Sequence, residues 1–169
     1  MPNAERNRVF ENWIDAHKPI LFKVARVYGA SHADREDLFQ EIALQVWHSV
    51  EAYRGDCAAA TWIYRVALNT ALAWRRKERR HSQGRQDIEA AAGLLIAPAI
   101  RDPRLEWIYD RIAELDEASR SLALLMLDGF SYREMSQILG IGESNVGMKI
   151  NRIKAALAAR LAKEDRGGL

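Results

Sequence analysis

Apolar residues recur at helical spacing along residues 61–80, TWIYRVALNTALAWRRKERR. The stripe consists of Trp62, Val66, Thr70 and Trp74, widened by Ile63 and Ala67. This period predicts a helix with one buried face. The opposite face is polar and basic and carries Thr61, Arg65, Asn69, Arg75, Arg76 and Arg79. Because Leu68 and Leu72 interrupt the polar side, we expect neighbours on more than one flank, as inside a helical bundle.

Two further helical patterns precede this stretch. Residues 7–28 carry an apolar stripe that Pro19 should kink or split. After a stop at Gly29, a second helix is expected from Asp34, acting as its N-cap, to about Val50. Its predicted buried stripe is Leu38 or Phe39, Ile42, Val46 and Val50. This leaves Leu44, Trp47 and several acidic and amide side chains outside the seam.

Three aromatic residues in this half allow a structural or a binding role. Trp47 lies beside the acidic residues of the second helix, where it either completes the core or anchors a protein partner. Tyr53 and Trp62 flank the loop EAYRGDCAAAT, whose Thr61 is expected to cap the next helix. Their rings suit either the core, which we favour, or the stacking of unpaired bases.

The helical period disappears after Arg80. Glycines and prolines punctuate residues 81–103, so we expect a flexible linker there. It separates a domain over residues 1–80 from a domain over residues 104–169. The second domain should start with a helix at Arg104, restart at Asp116 or Ser119 and stop at Gly129. The predicted fold is all-α, with two small helical domains joined by that linker.

The most specific local pattern lies in the second domain. Ser131 and Glu134 form a capping box, and the short helix that they start ends at Gly140. A long helix follows the turn, with the apolar seam Val146, Ile150, Ile153, Leu157 and Leu161. Short helix, glycine turn and long helix together predict a helix-turn-helix.

Placing that seam inward determines which side chains face outward at 100° per residue. The outward set is Ser144, Met148, Asn151 and Arg152, with Asn145 and Lys149 on one flank and Lys154 on the other. Most of these are residue types that contact base edges or phosphates. An ordinary helical hairpin is the alternative, but its outer face would be mixed in character.

Charge is segregated along the chain although the net charge is only +2. Residues 34–56 hold six acids and two bases, whereas residues 61–85 hold seven bases and one acid. Residues 143–163 hold five bases and one acid. Two separate basic helices suit two contact points on a polyanion, and the alternative is two solvated helix faces.

Several function classes are disfavoured by the composition. The N-terminus has charges of both signs and no apolar run, and no stretch is long enough for a membrane span, so we expect a cytoplasmic protein without membrane insertion. One cysteine, Cys57, permits no intrachain disulfide. The four histidines show no metal-ligand spacing and no glycine-rich phosphate loop is present. Acids such as Glu36 and Asp37 are explained more simply as solvated or docking groups, so neither an enzyme nor a cofactor is expected.

Three of these segments resemble the extracytoplasmic-function class of bacterial RNA polymerase sigma factors, over nearly the whole chain. DREDLFQEIALQVW is similar to the family's polymerase-docking helix. YRGDCAAATWIYRVALNTALAWRR is similar to its promoter-melting loop and the helix that reads the −10 element. SYREMSQILGIGESNVGMKINRIKAAL is similar to the region that binds the −35 element.

The resemblance implies three sets of contacts and three partners. Core RNA polymerase would contact Asp37, Gln40, Glu41 and Trp47. The −10 DNA would contact Arg54, Thr61, Arg65, Asn69, Arg75 and Arg76. The −35 duplex would contact Ser144, Asn145, Lys149, Arg152 and Lys154. The implied partners are bacterial core RNA polymerase, promoter DNA and an anti-sigma factor encoded elsewhere.

The chain departs from the family pattern at two places. Ala59 stands where the melting loop often has an aromatic residue, and Gly147 and Met148 stand where the recognition helix often has lysine and serine. Base preference therefore stays open at both elements. The alternative function is a helix-turn-helix regulator that binds duplex DNA without polymerase, which predicts tight binding by the isolated protein to a palindromic site.

Overall fold

The computed structural model describes residues 1–81 and 102–167. The chain divides into two compact units, Met1–Asp102 and Pro103–Leu169, called unit 1 and unit 2 below. Every regular element within the described residues is helical, which confirms the predicted all-α class. No helix in these two ranges combines the length and apolarity needed to cross a bilayer. Most of the expected linker, residues 82–101, lies outside the described residues.

Unit 1 is a bundle of three helices. They are α1 (Asn3–Tyr28), α2 (His32–Ser49) and α3 (Ala59–His81), with a 3-10 turn at Val50–Ala52 after α2. Each helix packs against the other two. Leu21 of α1, Leu38 of α2 and Leu68 of α3 are fully buried, so the three helices share one core.

Helix α1 is not split at Pro19, in contrast to one of the two predicted outcomes. Proline removes one backbone N–H and disfavours a helix interior. The helix nevertheless continues to Tyr28, and Ile20, Leu21 and Val24 directly after the proline are buried. Burial of this apolar face against α2 and α3 outweighs the local cost of the proline.

Two predicted helix starts are wrong. Ser31, not Asp34, is the N-cap of α2: the Ser31 hydroxyl accepts the Asp34 backbone N–H at 3.1 Å, and the Asp34 carboxylate accepts the Ser31 backbone N–H at 3.1 Å. This capping box places Asp34 in the first turn. Helix α3 begins at Ala59, so Thr61 lies inside its first turn, 6% exposed, and is not a cap.

The buried face of α3 also differs from the predicted stripe. Trp62, Val66, Thr70 and Trp74 are half-buried. The buried residues are Thr61, Ile63, Tyr64, Ala67, Leu68 and Ala71. Leu68, which interrupts the polar side, is only 1% exposed, and this confirms the predicted neighbours on more than one flank. The seam moves because α3 packs against α1 and α2 together, and small residues such as Ala67 and Ala71 allow the neighbouring helices to approach closely.

Unit 2 consists of α4 (Pro103–Ala113), α5 (Glu117–Leu127), α6 (Tyr132–Leu139) and α7 (Glu143–Gly167). Asp116 is the N-cap of α5, since its carboxylate accepts the Ser119 backbone N–H at 3.0 Å, and this confirms one of the two predicted starts. Helix α7 packs on α5 and α6. The core centres on the fully buried Leu122 and Leu125 of α5.

The helix-turn-helix in unit 2 forms as predicted. The Glu134 carboxylate accepts the Ser131 backbone N–H at 2.7 Å, and the Ser131 hydroxyl accepts the Glu134 backbone N–H at 3.2 Å, which completes the capping box. Gly140 ends α6 with a φ of 68°, a left-handed conformation that glycine adopts without strain. Ile141 and Gly142 then lead into α7.

The seam of α7 is shorter than predicted. Val146, Ile150 and Ile153 are buried, but Leu157 is half-buried and Leu161 is 50% exposed. The distal end of α7 is instead held by polar contacts with α4. Both the Trp107 indole N–H and the Arg111 guanidinium donate to Glu164, and Arg160 pairs with Glu114.

Candidate docking and nucleic-acid interfaces

The outer face of α2 combines acidic and amide groups with one large apolar side chain. Asp37 and Gln40 are exposed, and Glu41 is half-buried and accepts a hydrogen bond from Gln45 at 2.9 Å. Leu44 lies on the same face, since residues three and four apart are neighbours on a helix, and it is 48% exposed. The acids on this face would favour a partner surface that is basic.

Trp47 is neither a core residue nor a free anchor. Its indole N–H donates to Asn7 Oδ1 at 2.9 Å, and the Arg6 guanidinium lies 3.6 Å from the ring centroid. Arg6 also pairs with Glu51 at 3.2 Å. The first turns of α1 therefore cover Trp47 through a cation–π contact and a hydrogen bond. Sequence analysis missed Arg6 and Asn7 because they lie about 40 residues from Trp47, with no local pattern linking them.

The polar and basic face of α3 carries three predicted DNA-contacting residues. Arg65, Asn69 and Arg76 lie within about 40° of one another around the helix axis. Asn69 and Arg76 are exposed, and Arg65 is half-buried. Arg75 is half-buried on a neighbouring flank, and its Nε lacks a hydrogen-bond partner within the described residues. Thr61 does not join this surface, because its side chain is buried in the core of unit 1.

The loop before α3 is held by aromatic contacts. The Tyr53 ring lies edge-on to Trp13, with centroids 5.1 Å apart, and its hydroxyl donates to the Cys57 carbonyl at 2.5 Å. The Trp62 indole N–H donates to the Ser49 hydroxyl at 3.0 Å. These contacts support the favoured core interpretation of both aromatic residues. Arg54 is exposed at this loop, next to Gly55 with a φ of 79°.

A cleft of about 410 Å³ separates the acidic face of α2 from the basic face of α3. Its lining is Glu41, Gln45, Asn69, Thr70, Ala73, Trp74 and Lys77. Glu41 belongs to the predicted docking set and Asn69 to the predicted −10 set. The two sets are therefore adjacent within unit 1, although they belong to separate helices.

The outer face of α7 carries the predicted −35 residues at its surface. Ser144, Asn145, Arg152 and Lys154 are exposed, and Lys149 is half-buried. Ser144 and Arg152 lie on the side away from the buried seam, and Asn145, Lys149 and Lys154 lie on its flanks, in agreement with the 100° projection. Unit 2 therefore presents a polar and basic helix face that its own core does not use.

The groups with shifted pKa values lie at caps and in the packing of unit 2. The pKa of Asp116 is lowered by hydrogen bonds from the Ser119 backbone and side chain, and that of Glu134 by those with Ser131. Burial raises the pKa of Tyr109. Within residues 1–81 and 102–167, no three His, Cys, Asp or Glu side chains are grouped closely enough to hold a metal ion.

Comparison with known families matches both units. The family Sigma-70 region 2 matches residues 13–81, and the family Sigma-70, region 4 matches residues 105–157. The two matches together cover more than two thirds of the chain. They fall on separate units, one on each side of the residues that the structure does not describe.

Two curated relatives are similar to this chain over most of its length. RNA polymerase sigma factor NccH of Alcaligenes xylosoxydans xylosoxydans is 29% identical over 160 residues, covering 90% of this chain and 86% of the relative. The ECF RNA polymerase sigma-E factor of Haemophilus influenzae is 28% identical over 145 residues, covering 78% of this chain and 76% of the relative.

Solved structures with a similar fold include two complexes. One is the structure of CnrH with the cytosolic domain of CnrY, with a TM-score of 0.67 and 23% identity over 95% of each chain. The other is the sigma factor RpoE with the anti-sigma factor NepR from Bartonella quintana. Its TM-score is 0.74, with 18% identity over 92% of this chain and 98% of that chain.

Proposed function

The chain belongs to the sigma-70 family of RNA polymerase sigma factors, in its extracytoplasmic-function class, and we propose how its exposed surfaces divide the work of promoter recognition. A sigma factor directs core RNA polymerase to promoter DNA and is not an enzyme. Three surfaces carry the proposal: the outer face of α2, the basic face of α3 with Arg54, and the outer face of α7.

The outer face of α2 docks on core polymerase through Asp37, Gln40, Glu41 and Trp47, joined by Leu44. The exposed leucine supplies apolar area at the centre of this face, and the acids select a basic partner surface. Because Arg6 and Asn7 cover Trp47, the first turns of α1 belong to the same docking surface.

The basic face of α3 holds −10 DNA through Arg54, Arg65, Asn69, Arg75 and Arg76. Thr61 is left out of this set because it is buried. Opening base pairs costs a few kcal/mol for each unstacked step, which contacts to exposed bases and phosphates must offset. Arginine and asparagine provide such contacts, whereas Ala58, Ala59 and Ala60 of the preceding loop provide no large side chain for stacking.

The outer face of α7 holds the −35 duplex through Ser144, Asn145, Lys149, Arg152 and Lys154. In helix-turn-helix proteins the N-terminal residues of the second helix reach base edges while basic side chains contact phosphates. We expect weak DNA binding by the free protein. Polymerase raises the effective concentration of both basic helices at one promoter.

An anti-sigma factor is also part of the proposal, together with a cytoplasmic location beside the polymerase. The support for the partner is the fold shared with an RpoE structure that contains the anti-sigma factor NepR. The observation that carries the division of surfaces within unit 1 is the cleft lined by Glu41 of α2 and by Asn69 and Lys77 of α3.

Reconstituted transcription tests the proposal. Adding the purified protein to sigma-free core polymerase should produce transcripts from defined start sites. A variant that combines Arg65→Ala with Asn69→Ala should produce fewer transcripts. Leu161→Ala, which lies outside the three proposed surfaces, should behave like the wild type.

The absence of any promoter-specific transcript from a well-folded protein would contradict the proposal. Tight binding of the isolated protein to a palindromic duplex, without polymerase, would instead favour a helix-turn-helix regulator.

A further inference from the structure

Met148 is an exposed apolar residue on the polar and basic outer face of α7. It is 58% exposed, more than any other large apolar side chain in the described part of the chain. The side chains around it are polar or basic and suit contacts to phosphates and base edges. An apolar side chain held in water at the centre of such a surface contributes nothing to the folding of unit 2.

The helix geometry places Met148 at the middle of the proposed −35 face. At 100° per residue it points about 160° away from Val146 and from Ile150, which are both buried. Ser144, Asn145, Asn151 and Arg152 all lie within about 60° of it around the axis. Any duplex that these four side chains contact therefore also faces Met148.

The two flanks of Met148 differ in character. Gly147, the residue before it, has no side chain, and the Tyr132 ring of α6 lies 3.4 Å from where a Cβ would stand at Gly147. Gly147 and the Tyr132 ring therefore place no charged side chain on one flank of Met148. The other flank carries the half-buried Lys149.

The major groove offers such a side chain one apolar group, the 5-methyl of thymine. We propose that Met148 is a specificity-determining residue that packs against a thymine methyl group in the major groove of the −35 duplex. The inference rests on the proposed function, because it requires α7 to lie in that groove. A flexible thioether side chain suits this contact, since it adapts to the position of the methyl group.

The test uses the full chain assembled with core polymerase. A preferred −35 sequence is first selected from duplexes randomised in the upstream element. Each thymine of that sequence is then replaced by deoxyuridine, which removes only the methyl group, and binding is measured by competition. At one position we expect the affinity to fall about fourfold, the effect of one lost methyl contact.

Two variants make the result specific to Met148. With Met148→Ala, the same deoxyuridine replacement should change the affinity by less than about 1.5-fold, because the partner of the methyl group is gone. With Leu161→Ala, an equally apolar and exposed side chain of the same helix, the fourfold loss should remain.

The outcomes separate this inference from the proposed function. If the holoenzyme selects no upstream sequence at all, the −35 role of α7 is wrong. If it selects a sequence without thymine at the positions protected by α7, the Met148 inference alone is overturned. The Met148 inference is also overturned if deoxyuridine does not change the affinity, or if it changes the affinity equally for the wild type and for Met148→Ala.

Discussion

Helices α3 and α7 are both long, amphipathic and basic, but their surroundings differ. Helix α3 has 23 residues, packs against two helices and buries six residues. Helix α7 has 25 residues and buries only three, all in its first half. The buried residues of α3 span about 160° of its circumference, whereas those of α7 span about 60°, so unit 2 leaves more of its long helix available to a partner.

This difference predicts how substitutions act on the two helices. On α3, binding side chains such as Arg65 and Asn69 alternate with core residues, so binding and stability are sensitive to nearby changes. On α7, the buried seam and the outer face are on opposite sides, so outer-face substitutions should change binding without changing stability. The following experiments test that contrast, from the largest expected effect to the smallest.

Leu68→Ala should destabilise unit 1 by about 2–5 kcal/mol, because a fully buried leucine is replaced and a cavity remains. The matched change Leu161→Ala on α7 should cost less than about 0.5 kcal/mol, because that side chain is half exposed. Urea unfolding followed by tryptophan fluorescence measures both costs, since four tryptophans precede Arg80 in unit 1 and Trp107 lies in unit 2. A destabilisation of less than about 1 kcal/mol by Leu68→Ala would contradict the burial of Leu68 in the core of unit 1.

Charge segregation within unit 1 predicts a reciprocal pair of variants. Arg65→Ala combined with Asn69→Ala should slow promoter opening about tenfold or more, since each charge-assisted hydrogen bond is worth about 1.5–3 kcal/mol. It should leave polymerase affinity unchanged. Asp37→Ala combined with Glu41→Ala should do the reverse. Permanganate footprinting measures promoter opening, and a titration with the labelled protein measures docking on polymerase. An equal loss of polymerase affinity in both variants would refute the division of surfaces.

On α7, Lys154→Ala should reduce the steepness of the salt dependence of holoenzyme binding. Loss of one phosphate contact lowers the magnitude of the log–log slope by about 0.9. The sequence preference should stay the same, because phosphate contacts carry no base information. Binding isotherms between low and moderate salt give the slope. An altered preference with an unchanged slope would assign Lys154 to base contact instead.

The smallest expected effect is at the α5 cap. The Asp116 pKa lies below its ordinary value of 3.8, so the unfolded state takes up a proton first as the pH falls. The stability that this carboxylate contributes is present above that ordinary value and is lost as the pH falls through the lower, folded pKa. Asp116→Asn keeps a capping side chain and should flatten this acid dependence.

Thermal unfolding between neutral and acidic pH measures the effect of Asp116→Asn. The Glu134 pKa is shifted in the same direction by Ser131, so part of the acid dependence should remain in the variant. An unchanged pH profile would show that the Asp116 cap does not contribute through its charge.

Local patterns predicted much of unit 2 from the sequence alone. The Ser131–Glu134 capping box, the turn at Gly140 and the inner face of α7 up to Ile153 all depend on residues within a few positions of one another. The outward direction of Ser144, Asn145 and Arg152 followed from the helical period once the seam was known. Short-range hydrogen bonds and a single packing face determine these features.

Tertiary structure determined which side chains are buried or covered by other helices. The pattern of α3 predicted an amphipathic helix with neighbours on more than one flank, but not that Thr61 lies inside, because that depends on how α1 and α2 both pack against it. The cover of Arg6 and Asn7 over Trp47 is likewise a long-range contact. Sequence periodicity thus determined which segments are helical and basic. Packing determined which side chains stay at the surface, because burial is set by the partners of a helix and not by the helix itself.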